Sequence, residues 1–207
     1  MGFLANWYDR HVLPGLLDCA CGMKAIHRQR QKVVPKASGR VLEIGIGTGL
    51  NMRHYEAGKI ESLTGLDPAL QMHRLAKKRI RAAGLKVDLL GLAAEQIPLP
   101  SHSMDTLVMT YTLCTIHEPV QALKEMKRVL KPGGRLLFCE HGLAPDVEVR
   151  NMQNRLQPLW GKLAGGCHLN RDIPALLAEG GFQLNEIASM YLPGPRPFTY
   201  NYWGEAS

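Results

Sequence analysis

No acidic residue stands between Asp18 and Glu43, and none between Asp67 and Asp88. The first gap holds Lys24, Arg28, Arg30, Lys32, Lys36 and Arg40; the second holds Arg74, Lys77, Lys78, Arg79, Arg81 and Lys86. In a chain of formal net charge +7, these are either solvated helix faces or attractors for acidic headgroups, nucleic acid or anionic substrates. Aromatic residues are missing between Tyr55 and Tyr111. The second basic run therefore has no platform for stacking a base, and nucleic acid is not expected as a partner. No two of the five cysteines (Cys19, Cys21, Cys114, Cys139, Cys167) are spaced as CxxC. That excludes a zinc ribbon or thioredoxin site, and no metal ligand is expected. Reduced thiols in a cytoplasmic protein fit the odd number best, with Cys114 and Cys139 read as small buried hydrophobes. Long apolar runs are lacking too. Phe3, Leu4, Trp7, Val12, Leu13, Leu16 and Leu17 are interrupted by Asp9, Arg10 and Asp18. Such a segment cannot span a bilayer, though it could lie on one. No signal peptide, internal repeat or low-complexity linker is visible. What is there is an ordinary globular balance, 45% hydrophobic and 21% charged over 207 residues. A chain of this size buries roughly 70% of its unfolded surface and needs no disulfide or metal to fold.

Residues 1–35 read as a helical layer, broken at Pro14-Gly15, that could form a lid. From residue 36 to 207 strands alternate with helices. Strands are expected at Arg40–Gly45, Ser62–Leu66, Val87–Leu92, Thr106–Thr110 and Arg135–Cys139. Helices are expected at Leu50–Ala57, Ala69–Ala83 and Pro119–Leu130. Alternation of this kind implies an α/β fold with a parallel, doubly wound sheet covered on both faces. Val147–Leu163 and Asp172–Glu179 read as further helices. Phe182–Met190 and Phe198–Trp203 are strand-like and flank a loop with Pro193, Pro195 and Pro197, which predicts an antiparallel hairpin at one sheet edge.

The most informative stretch is Glu43-Ile44-Gly45-Ile46-Gly47-Thr48-Gly49-Leu50-Asn51. A strand entering three glycines lets backbone approach a ligand closely, and ligands of open α/β sheets sit beyond the carboxyl ends of the strands. A dinucleotide fingerprint needs a third glycine where Leu50 stands. Glu43, just before the loop, would repel a diphosphate and welcome a cation. Asp67, at the end of the second strand, can accept hydrogen bonds from both hydroxyls of a ribose.

Glu43–Gly49, Gly65-Leu66-Asp67-Pro68, Ala94–Pro100, Ser103-Met104-Asp105 and Arg128–Gly134 resemble, in order, the motifs of class I S-adenosylmethionine-dependent methyltransferases. The resemblance covers about half of the chain, residues 36 to 141. It implies a Rossmann-like seven-stranded sheet and S-adenosylmethionine as cofactor. It implies cofactor contacts from Tyr8, Glu43, Gly45, Gly47, Thr48, Gly49, Asn51, Asp67, Pro68, Ala94, Glu95, Thr110 and Thr112. Ala93 departs from the family's pattern, in which an Asp often binds the adenine amino group; that bond would fall to Glu95, backbone or water.

Residues at the strand ends must align the acceptor and remove a proton where one is lost. His141 is the expected base, with Glu140 orienting it or lining the site and Tyr111 beside them. Cys139-Glu140-His141, Trp160, Gly166–Arg171 and Phe198–Tyr202 are similar to the small alkyl-thiol S-methyltransferases of the methyltransferase-like seven group. That resemblance implies a thiol acceptor: sulfide, methanethiol or another small thiol. Animal members carry a hydrophobic N-terminal anchor without a counterpart here, so membrane contact is expected to be peripheral, through the N-terminal basic segment. Phe3, Trp7, Tyr8 and Trp160 could form an apolar lid, and Arg171 could meet an anionic acceptor, pair with Asp172 or cap a helix. The alternatives are a phospholipid or amine N-methyltransferase, an arsenite methyltransferase, and a non-enzymatic cofactor-binding module.

Overall fold

The computed structural model describes residues 7–8 and 11–207; Phe3 and Leu4 of the expected lid lie outside them. Seven strands form one sheet: β1 (Gly39–Ile44), β2 (Ile60–Leu66), β3 (Val87–Leu90), β4 (Met104–Thr110), β5 (Leu130–His141), β6 (Leu184–Tyr191) and β7 (Tyr200–Ala206). Their order is β3-β2-β1-β4-β5-β7-β6. The first five run parallel. β7 lies antiparallel between β5 and β6, pairing Cys139 with Trp203 and Met190 with Asn201. The expected parallel sheet with a C-terminal antiparallel hairpin is therefore observed.

Buried parallel strands are apolar on both faces, and alternate residues serve two cores. Leu42, Ile44, Leu107, Met109, Leu136 and Phe138 pack with α4 (Pro119–Val129) and α6 (Ile173–Glu179). Val41, Leu63, Val108, Leu137 and Cys139 pack with Val33 of α2 (Lys24–Val33) and with Ala76 and Ile80 of α3 (His73–Ala83). Two further helices, α1 (Leu13–Cys21) and α5 (Val147–Leu163), flank the strand ends.

Several boundaries differ from the sequence reading for local reasons. Pro14 does not break a helix; it occupies the first turn of α1, where a proline costs no hydrogen bond. No helix spans Leu50–Ala57. Two short 3₁₀ turns, Met52–His54 and Ala57–Lys59, replace it, because Met52, His54 and Tyr55 all turn inward and one helix face cannot present three residues so close in sequence. α3 begins at His73, after a 3₁₀ turn at Leu70–Met72. β5 starts at Leu130, where it pairs with Met104 before the register shifts. β6 begins only at Leu184 and β7 at Tyr200, the latter running on to Ala206, while Phe198 closes a 3₁₀ turn. Among the described residues no helix is long and apolar enough to cross a membrane.

The first acid-poor stretch is not simply a solvated face. Lys32 lies over the Trp203 ring, 3.4 Å from its centroid, and Arg30 is buried. In the second stretch, Arg79 grips the Asp18 carboxylate of α1 at 2.6 and 3.0 Å.

Candidate functional site

The chain leaves β1 through Gly45, whose N–H donates to Leu66 O at 2.7 Å. Gly45, Gly47 and Gly49 all have positive φ, at 68°, 52° and 79°, a region that favours glycine. A Cβ on Gly45 would lie 2.2 Å from the Thr112 hydroxyl, whereas one on Gly47 would meet nothing nearer than 3.8 Å. The loop is thus packed beneath Gly45 and open above Gly47. Asp67 faces that opening. Its Oδ2 accepts from the Gly47 N–H and its Oδ1 from the Ala69 N–H, each at 2.8 Å. Burial raises the Asp67 pKa against these two donors.

Beneath the loop lies a buried polar network. Glu43 is 1% exposed. Its carboxylate accepts from Asn51 Nδ2 at 3.0 Å and from the Tyr55 hydroxyl at 2.7 Å. Burial pushes its pKa up to about 7 in spite of those bonds. Asn51 Nδ2 also donates to Thr110 Oγ1 at 2.9 Å. Into this cluster reaches Arg30 of α2, which donates to Asn51 Oδ1 at 2.8 Å and to the Thr110 hydroxyl. Its guanidinium sits 5.0 Å from the Tyr111 ring centroid, and its Nε is buried without a partner. Sequence reasoning missed Arg30 and Tyr55. The available signal was helical spacing: Ile26, Arg30, Val33 and Val34 recur at i, i+4, i+7 and i+8 on one face.

At the ends of β4 and β5 the chain is clamped. Tyr111 has φ of 54°, a strained conformation for a bulky residue and one that collects at functional sites. Its hydroxyl donates to Asn201 Oδ1 of β7 at 2.6 Å, and burial holds its pKa well above the usual phenol value. Glu140 is fully buried and accepts from the Thr112 N–H at 2.9 and 3.1 Å; burial raises its pKa to about 7. Arg171 neither pairs with Asp172 nor caps a helix. Its guanidinium donates to the carbonyls of Leu113 and Ile116, the second at 2.7 Å, and Asp172 caps α6 by itself. His141 Nε2 lies 3.2 Å from Cys167 Sγ, and both belong to a cluster with Cys114. The neighbouring Cys114 thiol and then His141 lower the Cys167 pKa against burial, while Cys114 is pushed well up. Burial works against charge on His141, yet Cys167 outweighs it and raises its pKa.

The remaining expected positions have structural partners of their own. Thr48 donates to Asp18 Oδ1 at 2.6 Å. Thr112 Oγ1 donates to Ile44 O at 3.2 Å. Glu95 Oε1 accepts from the Glu118 N–H at 3.2 Å, at the start of α4. Tyr8 donates to Leu163 O at 2.9 Å, while Trp7 is 52% exposed against His11. Pro68 adjoins Asp67 at the end of β2, and Ala94 is buried in the core.

A cradle open above Gly47, faced by Asp67 and underlain by Glu43, suits a nucleoside carrying a cationic group. Comparison with known proteins agrees. A methyltransferase domain family matches residues 42–138. Thiol S-methyltransferase TMT1B of Rattus norvegicus is 35% identical over 159 residues, which is 75% of this chain and 64% of that enzyme. The chain thus spans under two thirds of that curated relative. Residues 42–138 thus form a methyltransferase domain, on the fold of S-adenosylmethionine-dependent methyltransferases. A solved SAM-dependent methyltransferase from Leishmania major shares the fold of this methyltransferase with a TM-score of 0.71 at 18% identity, covering 99% of this chain and 82% of that one. A shorter similarity links it to phosphatidylethanolamine N-methyltransferase of Cereibacter sphaeroides, 31% identical over 105 residues, 50% of this chain and 51% of that enzyme. The cofactor of the methyltransferase is S-adenosylmethionine, and Asp67 together with the open face of Gly47 fits its ribose and methionine parts.

Proposed function

We propose that this methyltransferase methylates a small thiol. The observation that carries the reading is the His141–Cys167 pair. At the end of β5 an imidazole nitrogen already sits 3.2 Å from a sulfur atom, on the segment that follows Trp160. Bound S-adenosylmethionine supplies a methyl group activated by its sulfonium. The chain's residues then have two tasks: to align the acceptor and to exclude water. Thiolate attack on a sulfonium removes both charges, so a dry, apolar surround favours it. Trp160 lies tilted against Phe198, with centroids 4.8 Å apart, and packs against Cys114, Ala164 and Cys167, which favours such a surround. Tyr111 and Glu140 act as positioning residues, one through Asn201 and the other through the Thr112 backbone. His141 is the side chain that faces the sulfur. Identity with the rat thiol S-methyltransferase supports the same reading.

An acceptor panel of sulfide, methanethiol, larger thiols and phosphatidylethanolamine vesicles, read by release of S-adenosylhomocysteine, tests it. Turnover with small thiols is expected. Turnover confined to phosphatidylethanolamine selects the N-methyltransferase reading instead. No turnover with any acceptor, alongside intact cofactor binding, leaves a cofactor-binding module.

A further inference from the structure

We infer that Cys114, His141 and Cys167 form a three-ligand site for a zinc-class cation. The donor atoms come from three separate places: the turn after β4, the end of β5 and the loop after α5. Two Sγ atoms and one imidazole nitrogen lie within 4.8 Å of one another, with both cysteines buried and His141 half-buried. Tetrahedral zinc with Zn–S of about 2.3 Å and Zn–N of about 2.0–2.1 Å sets its donors about 3.5–3.8 Å apart. The 3.2 Å between Cys167 Sγ and His141 Nε2 opens to that span by a small side-chain adjustment. Two thiolates and an imidazole suit a borderline-soft ion such as Zn²⁺ and disfavour Mg²⁺ or Ca²⁺.

The cluster is held as a site rather than as loose packing. Glu140 pins the Thr112 N–H, Arg171 holds the carbonyls of Leu113 and Ile116, and the His168 N–H donates to Cys114 O at 2.9 Å. Bonds of this kind orient ligands and are what metal sites require of their surroundings. A second observation points the same way. Trp160 packs against this cluster, and its indole N–H is buried without a hydrogen-bond partner. Such a donor carries a desolvation penalty that metal-bound thiolate sulfur, richer in negative charge than a thiol, relieves. Three protein ligands leave one tetrahedral position open, the arrangement of catalytic rather than structural zinc. On the thiol reading above, that position takes the acceptor's sulfur; the ion site itself does not depend on that reading.

Co²⁺ and Zn²⁺ added to the reduced, metal-free full chain provide the test. One equivalent of Co²⁺ is expected to give a thiolate-to-cobalt charge-transfer band, displaced by Zn²⁺. The band should be lost in Cys114→Ser and Cys167→Ser and kept in Cys19→Ser, whose cysteine is exposed on α1. Calorimetry with S-adenosylmethionine identifies the folded variants. Should both serines prevent folding, alkylation of the wild-type chain decides: Zn²⁺ is expected to slow iodoacetamide labelling of Cys114 and Cys167 at least tenfold relative to Cys19. A missing band, a band that survives both substitutions, or labelling indifferent to Zn²⁺ overturns the site. Because none of these readouts needs an acceptor, failure of the metal site and failure of the thiol reading are told apart.

Discussion

Arg30 Nη1 donates to Asn51 Oδ1 at 2.8 Å, and through that bond and its second one to Thr110 a helix from the N-terminal segment becomes part of the cofactor loop's foundation. Asn51 passes the contact on to Glu43 and Thr110. The guanidinium therefore offsets the buried Glu43 carboxylate across Asn51, with no direct ion pair between the two. α2 is fixed further by the His27–His54 contact at 3.0 Å.

Replacing Arg30 with Met should uncover that dependence. The variant keeps the stem and loses the charge, leaving Glu43 with only its bonds from Asn51 and Tyr55. Loss of about 1–3 kcal/mol is expected, as for buried acceptors left without their donor at Asn51 and Thr110, with weaker binding of S-adenosylmethionine. Denaturant unfolding and calorimetry measure both; an unchanged midpoint and affinity would show that the network tolerates an apolar plug.

Asp67→Asn turns one of two acceptors into a donor facing either the Gly47 or the Ala69 N–H. Cofactor affinity is expected to fall at least tenfold, about 1.4 kcal/mol, with a smaller effect on stability. Wild-type affinity in this variant, by calorimetry, would place the ribose elsewhere.

Gly45→Ala meets both obstacles at once, a φ of 68° and the Thr112 side chain 2.2 Å away. It should destabilise by more than about 1 kcal/mol and loosen cofactor binding. Gly58→Ala is the control, since nothing lies within 4 Å of its added Cβ, and it should stay within about 0.5 kcal/mol of wild type. Similar melting temperatures for the two variants would refute the packed floor beneath the loop.

Glu43 makes stability depend on pH. Its folded pKa of about 7 exceeds the ordinary carboxyl value of 4.5, so the folded state binds its proton more tightly than the unfolded state. The resulting stabilisation is complete below about 4.5 and is lost as pH rises through about 7. Relative to Glu43→Gln, which does not titrate, the wild type should lose about 3 kcal/mol across that window. Parallel denaturation curves for the two proteins from pH 4.5 to 8 would disprove the buried, cofactor-free state of Glu43.

Interpretation from residues alone succeeded where the cause is local. Strand alternation, the left-handed glycines after β1 and the acid ending β2 are written within a few neighbouring residues, because backbone preference and short turns act over that range. The late hairpin was legible for the same reason, its prolines marking the turn. Leu50–Ala57 failed because a run of eight residues of mixed polarity does not reveal that three side chains must all point inward.

The partners across the site belong to tertiary structure. Arg30 meets Thr110, Tyr111 meets Asn201, and Cys114 and His141 meet Cys167 only because two cores on opposite faces of one sheet dictate where α2, β7 and the loop after α5 come to rest. A lysine or arginine in an acid-poor helix has the same local propensities whether it is solvated or buried. What separates Arg30 from its neighbours is a carboxylate waiting beneath the glycine loop, since a desolvated charge is tolerated only where its opposite is already in place.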